Sequence, residues 1–480
     1  MKTHILFLTF FSGAIVSFSQ VPALWNVTGI GGGGALFAPT INPANNSEFY
    51  ISSDLSAIYH TTDNGQSYSI LDGKQIQGFH NSTVRFTSTP NLLYAVNYAD
   101  NEIVPVKSTD DGITWSTLAG NPDEFEETFS INVNYNNPNQ IVLGYYGTIY
   151  FSNDGGNSFT NIHNAISNGA GCLVAGVFFD GDNIYIGSND GLFVSSNGGS
   201  TFTTSSVTGI PSTERIFSFA GAKAGNITRF FCLTGDVNDT YNGEQGSDYW
   251  GYIRGVYSLD YGSGNWISKM NGINASTDYL MFVGMAENDI NTCYLAGGSS
   301  SSNPDVMKTT DGGDTWNHVF NTTNNQNIIT GWCGSGGDKQ WSWAECPFGL
   351  AVASNNSDVV LLGDYSMVTR TDDGGATWKQ AYVSAADENP ANASTPTKQT
   401  YHSVGMENTA CWQVFWNDQN NLFGAYTDIF MIRSQDAGQS WSFNYAYTPS
   451  NTVYRITKSA SGNLYAAENT LRGVTKYAKR

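Results

Sequence analysis

The stretch TTDGGDTW at residues 309–316 decides the fold of this chain, because the same phrase recurs along the sequence. Its pattern is Ser/Thr-x-Asp/Asn-x-Gly-x-Ser/Thr-aromatic, and we call each copy a box. Seven copies fit the pattern, and an eighth copy, SLDYGSGNW from Ser258, carries one inserted residue. The third position of the eight boxes is occupied by Asp63, Asp110, Asp154, Asn197, Asp260, Asp311, Asp373 and Asp436.

The box has the chemistry of a tight turn between two β-strands. Its Asp or Asn side chain can accept hydrogen bonds from free backbone N–H groups, and its Gly supplies a positive φ. Alternating apolar runs precede each box: before Ser152 they are FSINVNY, QIVLGYY and TIYFSN, and SFTNI follows. These runs have the two-residue period of strands. Each box therefore joins the third and fourth strands of a four-stranded unit.

Successive boxes are 43 to 63 residues apart, which fits a four-stranded propeller blade with loop insertions. The sequence thus predicts an all-β propeller with about eight box-bearing blades. After the last box the chain supplies three strands and no box, while Trp25–Thr28 has the pattern of an isolated fourth strand. We therefore expect a ninth sheet shared by the two termini. Two smaller propellers, or an incomplete tandem propeller, are the alternatives.

Residues 1–19 have the features of a secretory signal peptide. Lys2 supplies the positive charge and Ile5–Val16 the apolar region, so we expect cleavage before Gln20 and a propeller over residues 20–480. This predicts a secreted or periplasmic protein. No other apolar run approaches the ~18 residues that a membrane-spanning helix needs, so no membrane insertion is expected.

The charge balance is strongly acidic, with 21 Lys and Arg against 41 Asp and Glu and a net charge of −20. This disfavours nucleic acid and anionic membranes as partners. The six cysteines match no zinc pattern, and we expect neither a metal nor a cofactor. Outside the cytosol they could form disulfides, and Cys333–Cys346 is the most local candidate pair.

The loops that carry function should lie on the face opposite the boxes. In a blade, the turn between the second and third strands shares that face with the connection to the next blade. The turns between second and third strands repeatedly hold a carboxylate. We select Asp54, Asp364 and Asp428 as candidate catalytic acids. The longest connections are rich in aromatic residues that could stack on sugar rings. The candidate substrate-binding residues are Trp332, Trp341, Trp343, Glu345, Tyr365, His402 and Trp412.

The box resembles the Asp box, or BNR repeat, of a group of β-propellers that includes sialidases, xyloglucanase-type glycoside hydrolases, sortilins and photosystem assembly factors. Residues 24–65 more specifically resemble the start of tandem-propeller xyloglucanases, with LWNV, four consecutive glycines and an Asn-Pro turn. This resemblance places Asp54 on a catalytic carboxylate of that family. The second family aspartate precedes a Leu-Ala-Ile strand, and the nearest stretch here has Gly349 in its place. A related polysaccharide activity is therefore expected rather than xyloglucan hydrolysis itself.

Sialidase activity is disfavoured, because the nearest match to the arginine motif of that family is ERIF at Glu214–Phe217. We expect a glycoside hydrolase that binds a polysaccharide or oligosaccharide and uses two carboxylates, Asp54 together with Asp428 or Asp364. A non-catalytic propeller that binds glycan or protein is the main alternative, and a polysaccharide lyase is the second. The enzymatic reading stays open at this stage, because the box is a structural turn found with unrelated activities.

Overall fold

A computed structural model describes residues 27–99, 102–123, 126–166, 171–238, 253–338, 343, 346–365, 367–407, 409–445, 451–468 and 474–477. The described chain is nearly all β and forms nine sheets, which we number in chain order. Two short 3-10 turns, Thr323–Asn325 and Ala385–Asp387, lie in the connections after sheets 6 and 7. The predicted signal peptide lies outside the described residues. No helix in the described part is long and apolar enough to cross a membrane.

The first five sheets are antiparallel and follow the chain without crossovers. Sheet 1 consists of β1 (Leu36–Asn42), β2 (Asn45–Ser53), β3 (Ile58–Thr61) and β4 (Ser69–Ile70). Sheet 2 consists of β5 (Leu93–Ala99), β6 (Glu102–Ser108) and β7 (Ser116–Thr117). Sheet 3 consists of β8 (Thr128–Val133), β9 (Gln140–Tyr145), β10 (Thr148–Asn153) and β11 (Thr160–Asn164). Sheet 4 consists of β12 (Val174–Asp180), β13 (Asn183–Ser188), β14 (Gly191–Ser195) and β15 (Thr203–Thr204). Sheet 5 consists of β16 (Glu214–Ala224), β17 (Ile227–Asp236), β18 (Gly255–Asp260) and β19 (Ile267–Ser268).

The remaining four sheets keep this order, except that sheet 7 gains a short parallel strand at its edge. Sheet 6 consists of β20 (Asp278–Gly284), β21 (Cys293–Ser299), β22 (Pro304–Thr309) and β23 (Asn317–His318). Sheet 7 consists of β24 (Ile328–Ile329), β25 (Pro347–Ala353), β26 (Asn356–Asp364), β27 (Val368–Thr371) and β28 (Trp378–Gln380). Sheet 8 consists of β29 (Cys411–Trp416), β30 (Leu422–Tyr426) and β31 (Met431–Ser434). Sheet 9 consists of β32 (Val453–Lys458), β33 (Leu464–Glu468) and β34 (Val474–Tyr477).

Each regular box forms the same hydrogen-bonded turn at the end of a strand, which is the second strand in sheet 2 and the third antiparallel strand in the other sheets that carry one. In the first box, Asp63 Oδ1 accepts the hydroxyl of Thr61 at 2.8 Å and the N–H of Ser67 at 2.9 Å. Gly65, at φ +80°, donates its N–H to the Thr61 hydroxyl at 3.0 Å. The turn satisfies polar groups that the strands leave unpaired, which is why the phrase tolerates so little variation.

The damaged box keeps none of these bonds among the described residues. Asp260 instead receives two hydrogen bonds from the guanidinium of Arg229, at 2.6 and 2.8 Å. The turn is still closed by Ser263 N donating to Asp260 O at 3.1 Å, and the ion pair takes the place of the side-chain hydrogen bonds of the regular box. Sheet 5 nevertheless keeps four strands, because its long β16 and β17 supply most of the pairing.

The first seven sheets close into a ring around a channel of about 810 Å³. The channel is lined by the innermost segment of each sheet, with Phe37, Arg85, Phe129, Leu173, Phe217, Met281 and Phe348 as examples from sheets 1 to 7. Closure occurs between sheets 1 and 7, where Phe37 lies 4.9 Å from Phe348 and Leu361 shares a core with Phe49. Side chains alternate between the two faces of a strand, so each sheet packs against both neighbouring sheets. On β2, Tyr50 packs towards sheet 2 and Phe49 packs towards sheet 7.

The boxes and the turns between first and second strands share one end of these sheets, as predicted. The N–H of Gly155 in the third box donates to Asn139 O, and that of Gly374 in the seventh donates to Asp358 O. These turns meet at one mouth of the channel, where Lys223 N donates to Glu287 O and Glu287 N to Ser354 O. The opposite face therefore carries the turns that hold the candidate acids.

Within the described residues, sheet 9 consists of three strands from the C-terminal segment, and its expected pairing with Trp25–Thr28 stays a prediction. Trp25 lies outside the described residues, but Thr28 contacts Gly438 and Trp441 of the eighth box rather than the strands of sheet 9. Sheets 8 and 9 pack on each other through a core that includes Ala425 and Val453, and lie outside the ring of seven. The described sheets thus form two units, the closed ring of seven sheets and the pair made of sheets 8 and 9. Cys333 and Cys346 are buried in different core clusters, so the suggested local disulfide gains no support.

Candidate active site

The glycine-rich stretch before β1 brings sheet 1 against the start of sheet 8. Gly32 donates its N–H to Met406 O at 2.6 Å and forms an isolated parallel bridge with Glu407. A side chain at Gly29 would collide with the Glu407 carboxylate. Gly31, at φ +74°, lies directly against Tyr382 O and has no room for a Cβ. Only glycine allows this backbone to approach so closely, so the four glycines fix where the two units meet.

Glu407 anchors this contact and was not among the candidate site residues. Its Oε1 accepts the N–H of Gly31 at 3.1 Å, and its backbone oxygen accepts the hydroxyl of Tyr59 at 2.5 Å. Burial raises the pKa of the Glu407 carboxyl. Tyr59 is itself buried, and its pKa is raised first by burial and then by the nearby charges of Glu407 and Asp54. A neutral phenol thus links the anchoring glutamate to the turn that carries Asp54.

Asp54 and Asp428 lie within electrostatic reach of each other in corresponding turns of sheets 1 and 8. Asp54 lies between β2 and β3, and Asp428 lies between β30 and β31. Both side chains are open to solvent. The pKa of Asp54 is raised by partial burial and, next in size, by the negative charge of Asp428. The pKa of Asp428 is raised by partial burial. The structure therefore brings together two of the three aspartates that the sequence singled out.

The backbone holds both aspartates in defined turns. Asp54 donates its N–H to Ala35 O at 3.2 Å, and the turn is closed by Ser53 N donating to Ala57 O at 2.8 Å. The second turn is closed in the same way by Tyr426 N and Phe430 O at 2.8 Å, and Asp428 takes φ +63°. Asp is among the residues that tolerate this left-handed conformation.

Two predicted aromatic residues present exposed rings near these turns. Trp412 on β29 is 55% exposed, donates its indole N–H to the Thr427 hydroxyl at 2.7 Å, and lies edge-on to Tyr454. It is thereby fixed beside the residue that precedes Asp428. Tyr365 is 39% exposed and packs edge-on against Phe348 at 4.3 Å. Both rings have the amphipathic surface on which sugar rings stack.

A row of ring contacts, not anticipated from the sequence, crosses the same face from sheet 2 to sheet 7. Tyr98 stacks on Phe79 at 4.5 Å, and Phe79 stacks on His80 at 4.0 Å. His80 contacts Phe37, which contacts Phe348 and so leads to Tyr365. Gly78, next to Phe79, donates its N–H to Ser56 O in the turn that holds Asp54. The only hint in the sequence is the pair Phe79-His80 within a polar loop.

Asp364 is not available as a second catalytic acid. It is only 5% exposed, and its Oδ1 accepts the N–H of Met367 at 2.8 Å. The carboxylate thus closes the turn between β26 and β27. Gly349, which stood at the place of the family's second aspartate, lies against Pro39 with no room for a side chain. Of the two candidates for the second acid, Asp428 on sheet 8 is exposed to solvent and Asp364 on sheet 7 is buried.

Trp332 and Trp343 are packing residues rather than a sugar platform. Trp332 is 1% exposed, donates its indole N–H to Gly31 O at 2.9 Å and packs against Tyr382 and Phe443. Trp343 is half-buried and donates its indole N–H to Thr322 O at 3.2 Å. Their large apolar surfaces gain more from burial than from solvent exposure. Trp341 and Glu345, the other two members of this loop, lie outside the described residues.

His402 is also placed away from the Asp54 turn. Its ring Nδ1 lies 2.9 Å from Asp387 Oδ2, and its neighbour Tyr401 pairs with Trp441, which ends the eighth box. The boxes lie at the end of each sheet opposite the candidate acids. The histidine therefore belongs to the box end of sheet 8, and the prediction that it contacts substrate is not supported.

The described sheets form a β-propeller fold of the kind found in GH74 enzymes. An ancestral GH74 enzyme superposes with a TM-score of 0.67 at 17% identity, over 95% of this chain and 64% of that chain. The GH74 enzyme of Niastella koreensis gives 0.60 at 16% identity, covering 94% of this chain and 73% of that one. The GH74 xyloglucanase of Xanthomonas campestris gives 0.59 at 13% identity, covering 95% and 75%. At these identities the likeness establishes the fold.

This chain spans less than two thirds of the length of the ancestral GH74 enzyme. No protein-family model matches the sequence. No curated protein matches it either.

Proposed function

We propose that this protein is a secreted glycoside hydrolase that cleaves a neutral polysaccharide with Asp54 and Asp428. The observation that carries the proposal is the electrostatic contact between these two aspartates across the junction of sheets 1 and 8. Two carboxylates flanking a glycosidic bond are the common requirement of such enzymes. The GH74 fold of the structural neighbours supports the same class.

The two aspartates are suited to different roles. Burial and the charge of Asp428 both raise the pKa of Asp54, so Asp54 keeps its proton to a higher pH than an isolated aspartic acid. Asp54 would donate this proton to the glycosidic oxygen as the bond from the anomeric carbon to that oxygen breaks. Ionised Asp428 would take a proton from the water that attacks the anomeric carbon, or would itself attack that carbon. The anomeric form of the first product distinguishes these two courses.

The surroundings of the acids favour an uncharged sugar chain. The net charge of −20 opposes polyanionic substrates. Trp412 and Tyr365 provide exposed ring faces, and the half-buried rings of Tyr98, Phe79 and His80 add aromatic surface near sheet 2, whereas Phe37 and Phe348 are buried. A chain of several sugars could therefore lie across the face from sheet 8 towards sheet 2. Xyloglucan is the first substrate to test, since one structural neighbour is a GH74 xyloglucanase.

The test is hydrolysis of a panel of neutral plant and algal polysaccharides, measured as new reducing ends. Asp54→Asn and Asp428→Asn should each lower turnover by at least about a thousandfold, because the removed group acts in the transition state. Asp182→Asn is the matched control, since Asp182 is an exposed turn carboxylate at the box end of sheet 4. Glycan binding without new reducing ends would identify a binding propeller instead. Unsaturated products would identify a lyase.

A further inference from the structure

Sheet 6 carries a cluster of three side chains that the proposed hydrolysis does not use. Asp278 begins β20, Asp305 lies on β22, and His318 ends β23. Each offers one ligand-type atom, and these three atoms all lie within 4.8 Å of one another. The residues are 27 and 13 positions apart in the chain, so only the pairing of the strands of this sheet brings them together.

The burial of the two carboxylates is the unusual feature of this cluster. Asp278 is 6% exposed and Asp305 is 5% exposed. Asp305 Oδ1 lies 2.8 Å from His318 Nδ1, whereas its Oδ2 is buried and has no hydrogen-bond partner among the described residues. A buried carboxylate oxygen without a partner is costly, and a cation at this point would remove the cost.

Asp278 is held in place by groups outside the cluster. Its Oδ1 accepts the hydroxyl of Thr277 and its Oδ2 accepts the N–H of Asn274, both at 2.8 Å. Such outer hydrogen bonds are typical of carboxylates that bind a metal, because they fix the orientation of the ligand oxygen. The imidazole of His318 is half-exposed and leaves the cluster open to solvent on one side.

A second cluster with similar residue types shows no buried carboxylate oxygen without a partner within the described residues. His163, Cys172 and Asp190 also lie within mutual reach. There, however, Asp190 Oδ2 already accepts both the ring N–H of His163 at 2.8 Å and the backbone N–H of Ile166 at 3.0 Å. Hydrogen bonds within the protein therefore account for the position of the Asp190 carboxylate. The second cluster needs no bound ion to explain it.

We propose that Asp278, Asp305 and His318 bind a divalent transition-metal cation such as Zn²⁺. Two carboxylate oxygens and one imidazole nitrogen are a donor set that suits this class of ion, with water completing the coordination on the open side. The bound ion would tie the first strand of sheet 6 to its third and fourth strands. It would therefore act as a structural clamp on the sixth blade.

The proposal is tested by calorimetric titration of the full chain with ZnCl₂, after chelator treatment and purification without a histidine tag. We expect one Zn²⁺ per chain, with Asp305→Asn and His318→Gln each weakening the binding by at least about 100-fold. His60→Gln is the matched control, because His60 pairs with Glu48 at 2.9 Å but has no third ligand-type side chain in reach within the described residues.

Three results would overturn the proposal. The first is the absence of stoichiometric Zn²⁺ binding by the wild type, in which case protonated His318 alone balances the two carboxylates. The second is unchanged Zn²⁺ binding in both variants, which would place the ion elsewhere. The third is equal or tighter binding of Mg²⁺ or Ca²⁺, which prefer oxygen ligands alone. Circular dichroism of each variant, and the visible spectrum of bound Co²⁺ in the wild type, separate loss of a ligand from loss of the fold.

Discussion

Asp428, in a turn of sheet 8, raises the pKa of Asp54, in the corresponding turn of sheet 1. The two aspartates are 374 positions apart in the chain, Asp54 in the ring of seven sheets and Asp428 in sheet 8. Their contact depends on the glycine-rich stretch at residues 29–34 and on Glu407, which hold the two units against each other. The relationship between the two aspartates is therefore a product of the junction between units, and it should respond to changes on either side.

The first prediction concerns the protonation of Asp54. Replacing Asp428 by Asn removes a nearby negative charge, so the pKa of Asp54 should fall towards the usual value for an aspartic acid. Burial should keep it from falling completely. The measurement is a pH titration of the Asp54 carboxyl by carbon-detected NMR with labelled aspartate. The same titration in Asp182→Asn should match the wild type, and an unchanged Asp54 pKa in Asp428→Asn would refute the electrostatic contact.

The second prediction compares two exposed tryptophans on β29. Trp412→Ala should raise KM for a polysaccharide substrate by roughly ten- to a hundredfold, because one stacked sugar contributes about 1–3 kcal/mol by analogy with base stacking on aromatic rings. Trp416→Ala is the control, since Trp416 is 58% exposed and pairs with Leu422 at the other end of the strand. It should leave KM unchanged. Equal effects of the two substitutions would argue against a binding role specific to Trp412.

The third prediction concerns the glycine-rich stretch. Gly31→Ala should lower the free energy of unfolding by about 1–3 kcal/mol, because φ is +74° and the new Cβ would collide with Tyr382 O. Gly73→Ala is the control: Gly73 lies in a turn, and a Cβ there would meet nothing within 4 Å. That change should be neutral or slightly stabilising. Urea denaturation at pH 7 measures both, and a stability of Gly31→Ala equal to that of Gly73→Ala would contradict the packing described.

The fourth prediction concerns how low pH affects the stability that the box at Asp311 contributes. Hydrogen bonds from Thr315 and Thr309 lower the pKa of Asp311 to about 2. An unfolded aspartate titrates near 3.9, so the stability from this ionised carboxylate is present above pH ~4 and is lost as the pH falls towards 2. Asp311→Asn should reduce this acid sensitivity, since Asn197 already closes the fourth box: its Oδ1 accepts from the Ser195 hydroxyl and the Thr201 N–H, and its Nδ2 donates to the Thr201 hydroxyl.

Asp311→Ala tests the same box by removing the bonds altogether. It should lower the urea midpoint at pH 7, whereas Asp311→Asn should retain most of that midpoint. Urea midpoints at pH 7 and pH 3 for the three proteins provide the comparison. If alanine and asparagine behaved alike at pH 7, the hydrogen bonds of the box would not contribute measurably to stability.

Much of each blade could be read from the sequence, because it depends on neighbouring residues. The box phrase fixed the turn after each third strand, and the alternation of apolar residues fixed the strands before it. The damaged copy at Ser258 was recognised from its inserted residue, but its replacement by the Asp260–Arg229 pair was not. That pair joins the second and third strands of sheet 5, and local turn chemistry carries no information about it.

The candidate site was only partly predictable. Asp54 and Asp428 followed from their turns, and Trp412 from its place in a long connection. Asp364 and Trp332 had the same local signals, yet the first closes a turn and the second fills a core. Exposure decides between these outcomes, and exposure depends on which distant segment covers a loop. The cluster of Asp278, Asp305 and His318 gave no sequence signal, since its spacing matches no metal-binding motif.

The sequence by itself determined that this protein is built from box-bearing β-sheets, and which turns of those sheets carry acids. Periodicity and turn chemistry act over a few residues and are written in the local order of side chains. Only the tertiary structure decided that seven sheets close the ring, that sheets 8 and 9 lie outside it, and that Asp54 meets Asp428. Closure depends on how the interdigitating side chains of neighbouring sheets set the angle between them. That angle arises from contacts between residues far apart in the chain, such as Phe37 and Phe348.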